Sequence, residues 1–189
     1  NLLRRAIQQS ISDAFDFAKV FATTLYTGNS ATRDIVSGLD FVAGDGLVWI
    51  KSRNTANVHY LYDTLRGPLN RVSSNSTNAE AANANSLTSF NADGFSVGSF
   101  GGVNTNADPL VAWQFIEKAG FFDIVQYTGD GIAGRTVALD LDDGTAVFGM
   151  SIVKRTDLGG IWLVQHKDIA ATNYMALSST AASAAAPSV

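Results

Sequence analysis

His59 and His166 are the two imidazoles of the chain, and both lie in aromatic-rich stretches, His59-Tyr60-Leu61-Tyr62 and Trp162-Leu163-Val164-Gln165-His166. A metal centre needs several converging donors, and no His-rich or carboxylate-rich spacing accompanies either residue. Both read as structural or hydrogen-bonding histidines. Asp140-Leu141-Asp142-Asp143-Gly144 opens like a calcium loop. The alternation of ligands then fails, and Ser151 stands where the twelfth position requires glutamate, so a β-turn is expected. Glycosidic chemistry needs two carboxylates across a cleft, but Glu80 and Glu117 are the only glutamates and sit in different contexts. There is no G-x-S-x-G nucleophile elbow. Gly98 to Gly102 lacks the lysine of a phosphate loop. With no cysteine there is no thiolate site and no disulfide. These residues point to a non-enzyme, and no cofactor or metal is expected.

Sugar binding fits the residue types better. Lectin sites stack rings on aromatic faces and bond hydroxyls through Asn, Asp and backbone groups. Trp49, Tyr60, Tyr62, Trp113 and Trp162 supply rings. The tryptophans sit inside apolar strands, where core burial is the default. Tyr60, Tyr62 and Asn75 are therefore the candidate glycan contacts. Arg53, Asp63 and Arg66 could pair on neighbouring strands, and exposed pairs of this kind contribute roughly 0 to 1 kcal/mol.

Composition narrows the partners. A chain of 189 residues with 46% hydrophobic content can bury a core. Only 16% of residues are charged, the net charge is −4, and no long basic run exists, so a nucleic-acid partner is not expected. No run of about 18 apolar residues occurs, so no membrane span is expected. The start lacks a secretory-signal pattern.

Two kinds of element must position these residues. Ile7, Ile11, Ala14, Ala18 and Phe21 follow helical spacing, with Leu3 one step earlier and Phe15 and Phe17 widening the stripe, so a helix is expected over 2–21. It either packs on its own domain or docks the chain to copies of itself or to a larger assembly. The contact residues would be Leu3, Ile7, Ile11, Phe15, Ala18 and Phe21. After Thr23 the pattern turns to short strands bounded by Gly, Asn, Asp and Ser. Strands are expected at 23–27, 46–52, 57–63, 94–100, 110–116, 121–127, 146–154 and 160–166, with a tight turn at 91–94 and a loop over 70–85. The fold class is mainly β, an antiparallel β-sandwich or jelly roll preceded by an N-terminal α-helix.

The chain also repeats itself. Tyr26-Thr27-Gly28-Asn29 returns as Tyr127-Thr128-Gly129-Asp130, 101 residues on, and Arg33 is matched by Arg135. Val48 to Arg53 is echoed by Met150 to Arg155, and Ser73 to Thr77 more loosely by Leu177 to Thr180. Three parts follow: a helix at 1–22, a first β-rich module at 23–120, and a second, incomplete one at 121–189. The first copy reaches Trp113, and the second should reach its equivalent at about position 214, so a longer polypeptide is expected.

Taken together, Val48 to Arg53, His59 to Asp63, Arg66-Gly67, Asp93-Gly94-Phe95, Val111-Ala112-Trp113 and Tyr127 to Gly131 resemble a repeated module of bacteriophage structural proteins. Such modules occur in tail-fibre and minor virion proteins of marine and aquatic phages. They are similar to the lectin-like concanavalin-A or laminin-G jelly roll. The resemblance covers residues 25–189 and implies no catalytic residue. It implies a homotrimeric virion protein, tail-located, whose helix meets other virion proteins while the β modules meet host-surface glycans. A capsid-decorating role is the alternative.

Overall fold

The computed structural model describes residues 15–141 and 147–185. The architecture is mainly β, with antiparallel sheets. The strands are β1 (Phe21–Thr27), β2 (Arg33–Val36), β3 (Gly46–Ser52), β4 (Tyr60–Asp63), β5 (Asn70–Ser73), β6 (Ala81–Ala82), β7 (Leu87–Asn91), β8 (Gly94–Val97), β9 (Pro109–Ile116), β10 (Met150–Lys154), β11 (Trp162–His166), β12 (Asn173–Ala176) and β13 (Ala184–Ala185). A single α-helical turn, α1 (Gly101–Asn104), precedes β9.

The first half is sandwich-like. A six-stranded sheet in the order β1-β9-β3-β4-β5-β6 faces a three-stranded sheet in the order β2-β8-β7. Alternation along β3 decides the faces: Val48 and Ile50 turn inward and are fully buried, while Leu47, Trp49 and Lys51 turn outward and are half-buried. Tyr26, Tyr62, Leu110 and Ala112 join the inward set. They pack on Ile35, Leu87, Phe95 and Val97 of the other sheet. Tyr26 satisfies its buried hydroxyl by donating to the Val103 carbonyl at 2.7 Å. Gly28 begins the next turn close against Thr105, where any Cβ would strike the Thr105 carbonyl oxygen. The turn at 91–94 forms as expected, with Gly94 at a φ of 133°.

The second half repeats part of the first. The meander β3-β4-β5-β6 reappears as β10-β11-β12-β13, in the same order and all antiparallel. A shift of 103 residues carries Leu61↔Val72 onto Val164↔Met175 and Asn70↔Ala82 onto Asn173↔Ala185. The same shift carries the β3–β4 pair Trp49↔Leu61 onto the β10–β11 pair Ile152↔Val164. Backbone bonds outside the strands follow it too: Thr64 N donates to Gly46 O at 3.1 Å, and Lys167 N to Gly149 O at 2.9 Å. Lys51 therefore matches Lys154, one place later than the sequence echo suggests. Earlier in the chain the shift is 101. Asn29 and Asp130 each accept from the amide two residues on, Ala31 at 3.0 Å and Ile132 at 2.9 Å. Arg33 donates to the Thr27 carbonyl at 2.7 Å, and Arg135, already at a shift of 102, donates to that of Thr128. Two extra residues thus fall between this turn and β10.

Several expectations are corrected. The helix over 2–21 is not supported. Leu3, Ile7 and Ile11 lie outside the described residues, while Phe17–Lys19 form one 3₁₀ turn capped by Asp16. Phe21 opens β1 and pairs with Phe115, so seven cross-strand pairs to β9 override the local helical spacing. The expected strand at 121–127 is also not formed, apart from an isolated bridge between Lys118 and Phe122. The expected loop over 70–85 contains β5 and β6. Most of the calcium-like stretch, residues 142–146, lies outside the described residues.

The ion cluster is buried rather than exposed. Arg66 pairs with Asp63, whose side chains are 8% and 7% exposed, and reaches Glu80 at 3.0 Å. Arg66 also donates to the Leu61 carbonyl at 3.2 Å, whereas Arg53 is exposed. Arg66→Ala would leave the Asp63 carboxylate buried without its partner, and a loss of about 3–5 kcal/mol is expected from guanidinium unfolding. A loss below about 1 kcal/mol would instead be that of a solvated pair.

Candidate functional site

The two halves meet through the outer face of the six-stranded sheet. Leu61 and Val72 present apolar side chains there, flanked by Leu47 and Trp49, and Trp162 of β11 packs onto them with 5% exposure. Trp162 and Val164 are the buried positions of β11 and match His59 and Leu61 by the shift of 103. The outer face of one meander therefore meets the equivalent face of the other. The Trp162 indole donates to Ser73 O at 2.8 Å and to Ser76 O at 3.1 Å, seating the ring in the turn after β5. Gly160 N to Thr77 O at 2.7 Å and Glu80 N to Thr156 O at 2.8 Å extend the seam.

His59 occupies the equivalent place in the first half. Its carbonyl accepts from Ser74 N at 3.2 Å, as that of Trp162 accepts from Leu177 N at 3.1 Å. The turn that would seat a second indole is Leu177 to Thr180, where Ser179 N donates to Ala176 O just as Ser76 N donates to Ser73 O, each at 3.1 Å. An imidazole is smaller than an indole. A cleft of about 380 Å³ lies here, lined by Trp49, His59, Ser74, Asn75 and residues 177–180.

The cleft walls are neutral, aromatic and rich in hydroxyls. The Trp49 ring lies 6.4 Å from that of His59 and meets Trp113 edge-on at 5.9 Å. Trp49 Nε1 is buried and finds no acceptor among the described residues. The Asn75 side-chain oxygen accepts from His59 N at 3.1 Å. Burial first, and then the Lys51 ammonium, hold the His59 imidazole below its ordinary pKa. A neutral imidazole offers one N–H donor and one nitrogen acceptor. Ser178, Ser179 and Thr180 add hydroxyls that donate and accept. Such a surface can stack a ring and bond an uncharged hydroxylated ligand.

Of the expected glycan contacts, only Asn75 lines this cleft. Tyr62 is fully buried in the core and reaches no surface ligand, because its place on β4 turns inward. Tyr60 is half-buried at the sandwich rim, edge-on to Phe100 at 5.5 Å with the Arg71 guanidinium over both rings. The expected particle contacts also separate. Phe15 and Phe17 pack edge-on against Phe121 at 5.6 and 5.7 Å, and Phe21 sits beside Phe115 at 5.1 Å. Ala18 lies in the 3₁₀ turn. His166 lies away from the cleft beside Asp168, 3.6 Å from its carboxylate. No group of three or more His, Cys, Asp or Glu residues suited to a metal occurs among the described residues. Sequence reading missed the cleft because its walls come from both copies. The match of His59 with Trp162 was the signal that could have found it.

A second concavity, of about 430 Å³, lies between Asp34 and Asp93. Its polar groups bond one another: Asn91 donates to Ser96 Oγ at 2.9 Å and Ser96 to Asp34 at 2.5 Å.

A family described as a domain of unknown function, DUF7483, matches residues 16–120 and again residues 116–189. The chain belongs to this family. No curated protein and no solved structure matches it. The first DUF7483 match contains β1 to β9 and the second contains β10 to β13, so the family recurs where the strand register recurs.

Replacing His59 by Trp would place an indole opposite the 177–180 turn, as Trp162 lies in the 73–77 turn. His59→Trp is expected to fill the cleft and raise stability by about 0.5–2 kcal/mol in denaturant unfolding. A destabilised variant would show that the two seats are not equivalent.

Proposed function

We propose that this DUF7483 chain is a non-enzymatic virion structural protein, of tail-fibre or tail-associated type, whose jelly-roll-like β modules project for host-surface attachment. The observation that carries the reading is the doubled antiparallel meander, clamped face to face by Trp162. Serial β units with few surface charges suit a protein that must present extended surface outside a cell. Attachment to other virion proteins runs through the N-terminal segment bearing Phe17, which is 62% exposed. Assembly as a homotrimer belongs to the same reading. A capsid-decorating position is the variant of it.

The second reading is carbohydrate binding, and the inter-copy cleft favours it. Trp49 supplies a stacking face, and Asn75, His59 and the serines supply hydrogen bonds to hydroxyls. The two readings combine in a fibre that grips an uncharged host glycan.

One preparation tests both. Antibody to the purified chain should label tail structures of purified particles. Titration with neutral hexoses should change tryptophan fluorescence at millimolar sugar, and His59→Trp should abolish that change. Particles without label would overturn the virion reading. Fluorescence unmoved by every sugar would overturn the glycan reading and leave the scaffold reading standing.

A further inference from the structure

Three features of the second half share one explanation. First, in the first half β3 pairs on one edge with β4 and on the other with β9 over seven residue pairs. Among the described residues its counterpart β10 pairs with β11 alone. Second, β1 is a strand because β9 lies beside it, pairing Phe21 with Phe115 through Thr27 with Pro109. The matching stretch from Phe122 to Thr128 keeps the Phe at its start and the Tyr-Thr at its end, with Ile124 and Val125 between, yet forms no strand beyond the single bridge at Phe122. Third, Gly28 is held against the loop that leads into β9, where Thr105 leaves no room for a Cβ. Gly129 occupies the same place in the recurring turn, and no atom lies within 4 Å of where its Cβ would be.

We infer that the second half is an acceptor for one extended polypeptide strand of β9's character, inserted between β10 and the Phe121–Thr128 stretch. The occupant is defined by what β9 supplies. It alternates apolar residues on both faces, carries an aromatic at the place of Trp113, and follows a loop like Asn104-Thr105. The register follows from the first half. Trp49 opposes Trp113 and Val48 opposes Gln114, so the place of Trp113 falls opposite Ile152 and that of Gln114 opposite Ser151. Insertion satisfies the open backbone groups of β10 and gives the 121–128 stretch its partner. It also extends cover towards Val153 and Leu163, which are 38% and 39% exposed, whereas their counterparts Ile50 and Tyr60 are buried and half-buried. The preceding loop seats on Gly129.

The chain itself provides the probe, a synthetic peptide of residues 103–117. Added to the 189-residue protein, it should slow backbone amide exchange at least tenfold both in Met150–Lys154 and in Phe121–Thr128. The same segment joined behind the chain by a flexible linker should do so without dependence on peptide concentration. Gly129→Val should weaken the effect at least tenfold, and Gly134→Val should not. The inference is overturned if neither format slows both stretches while β1 to β9 stay protected. It is equally overturned if β10 becomes protected by pairing with a second copy of the chain without peptide, or if Gly129→Val has no effect.

Discussion

The relation between the two halves turns on the seat of Trp162. Its ring covers Leu61 and Val72, and its one N–H is shared between the carbonyls of Ser73 and Ser76. An indole buried without an acceptor would carry a desolvation cost of roughly 1–3 kcal/mol, so the hydrogen bonds allow this apolar surface to be buried at all. The outer face of the six-stranded sheet would otherwise expose a broad band of aromatic and aliphatic side chains. Covering it with the second meander turns a one-cored sandwich into a three-layered arrangement. The same symmetry that places Trp162 in one turn places only His59 at the other, and the cleft is the consequence of that difference in size.

The recurrence is a statement about backbone geometry, not only about residue letters. One shift reproduces the pairs of β3 with β4, β4 with β5 and β5 with β6, together with the bonds that close their turns. Side chains have diverged within that frame. Asp63, which neutralises Arg66 in the first half, is matched by His166, and Arg66 by Ile169. Among the described residues the buried ion network therefore belongs to the first half, although Glu80 also bonds across the seam through its backbone.

The sequence made some of this legible. Leu47 to Ile50 is a short run of aliphatic and aromatic residues that follows Gly46, and the strand 46–52 forms with the expected bounds. The doubling was readable from Tyr26-Thr27-Gly28-Asn29 and its echo, because the Asx side chain of that turn bonds the amide two residues on in both places. Other elements were hidden by context. Asn70-Arg71-Val72-Ser73 has one apolar residue, and it is a strand because β4 lies beside it. The run from Phe15 to Phe21 satisfies helical spacing and strand alternation equally well, and pairing with β9 decides for the strand from Phe21 onward. Residues 121–127 read as a strand with good reason, yet a strand requires a partner. Of the site, Asn75 was legible, while Tyr62 was misplaced because alternation alone does not say which face is the core.

The central claim is that the second meander is held on the first by Trp162. Amide exchange measured strand by strand in Trp162→Ala tests it most directly. The account predicts that protection falls at least tenfold throughout β10 to β13 while β1 to β9 keep theirs. Unchanged protection in β10 to β13 would contradict it.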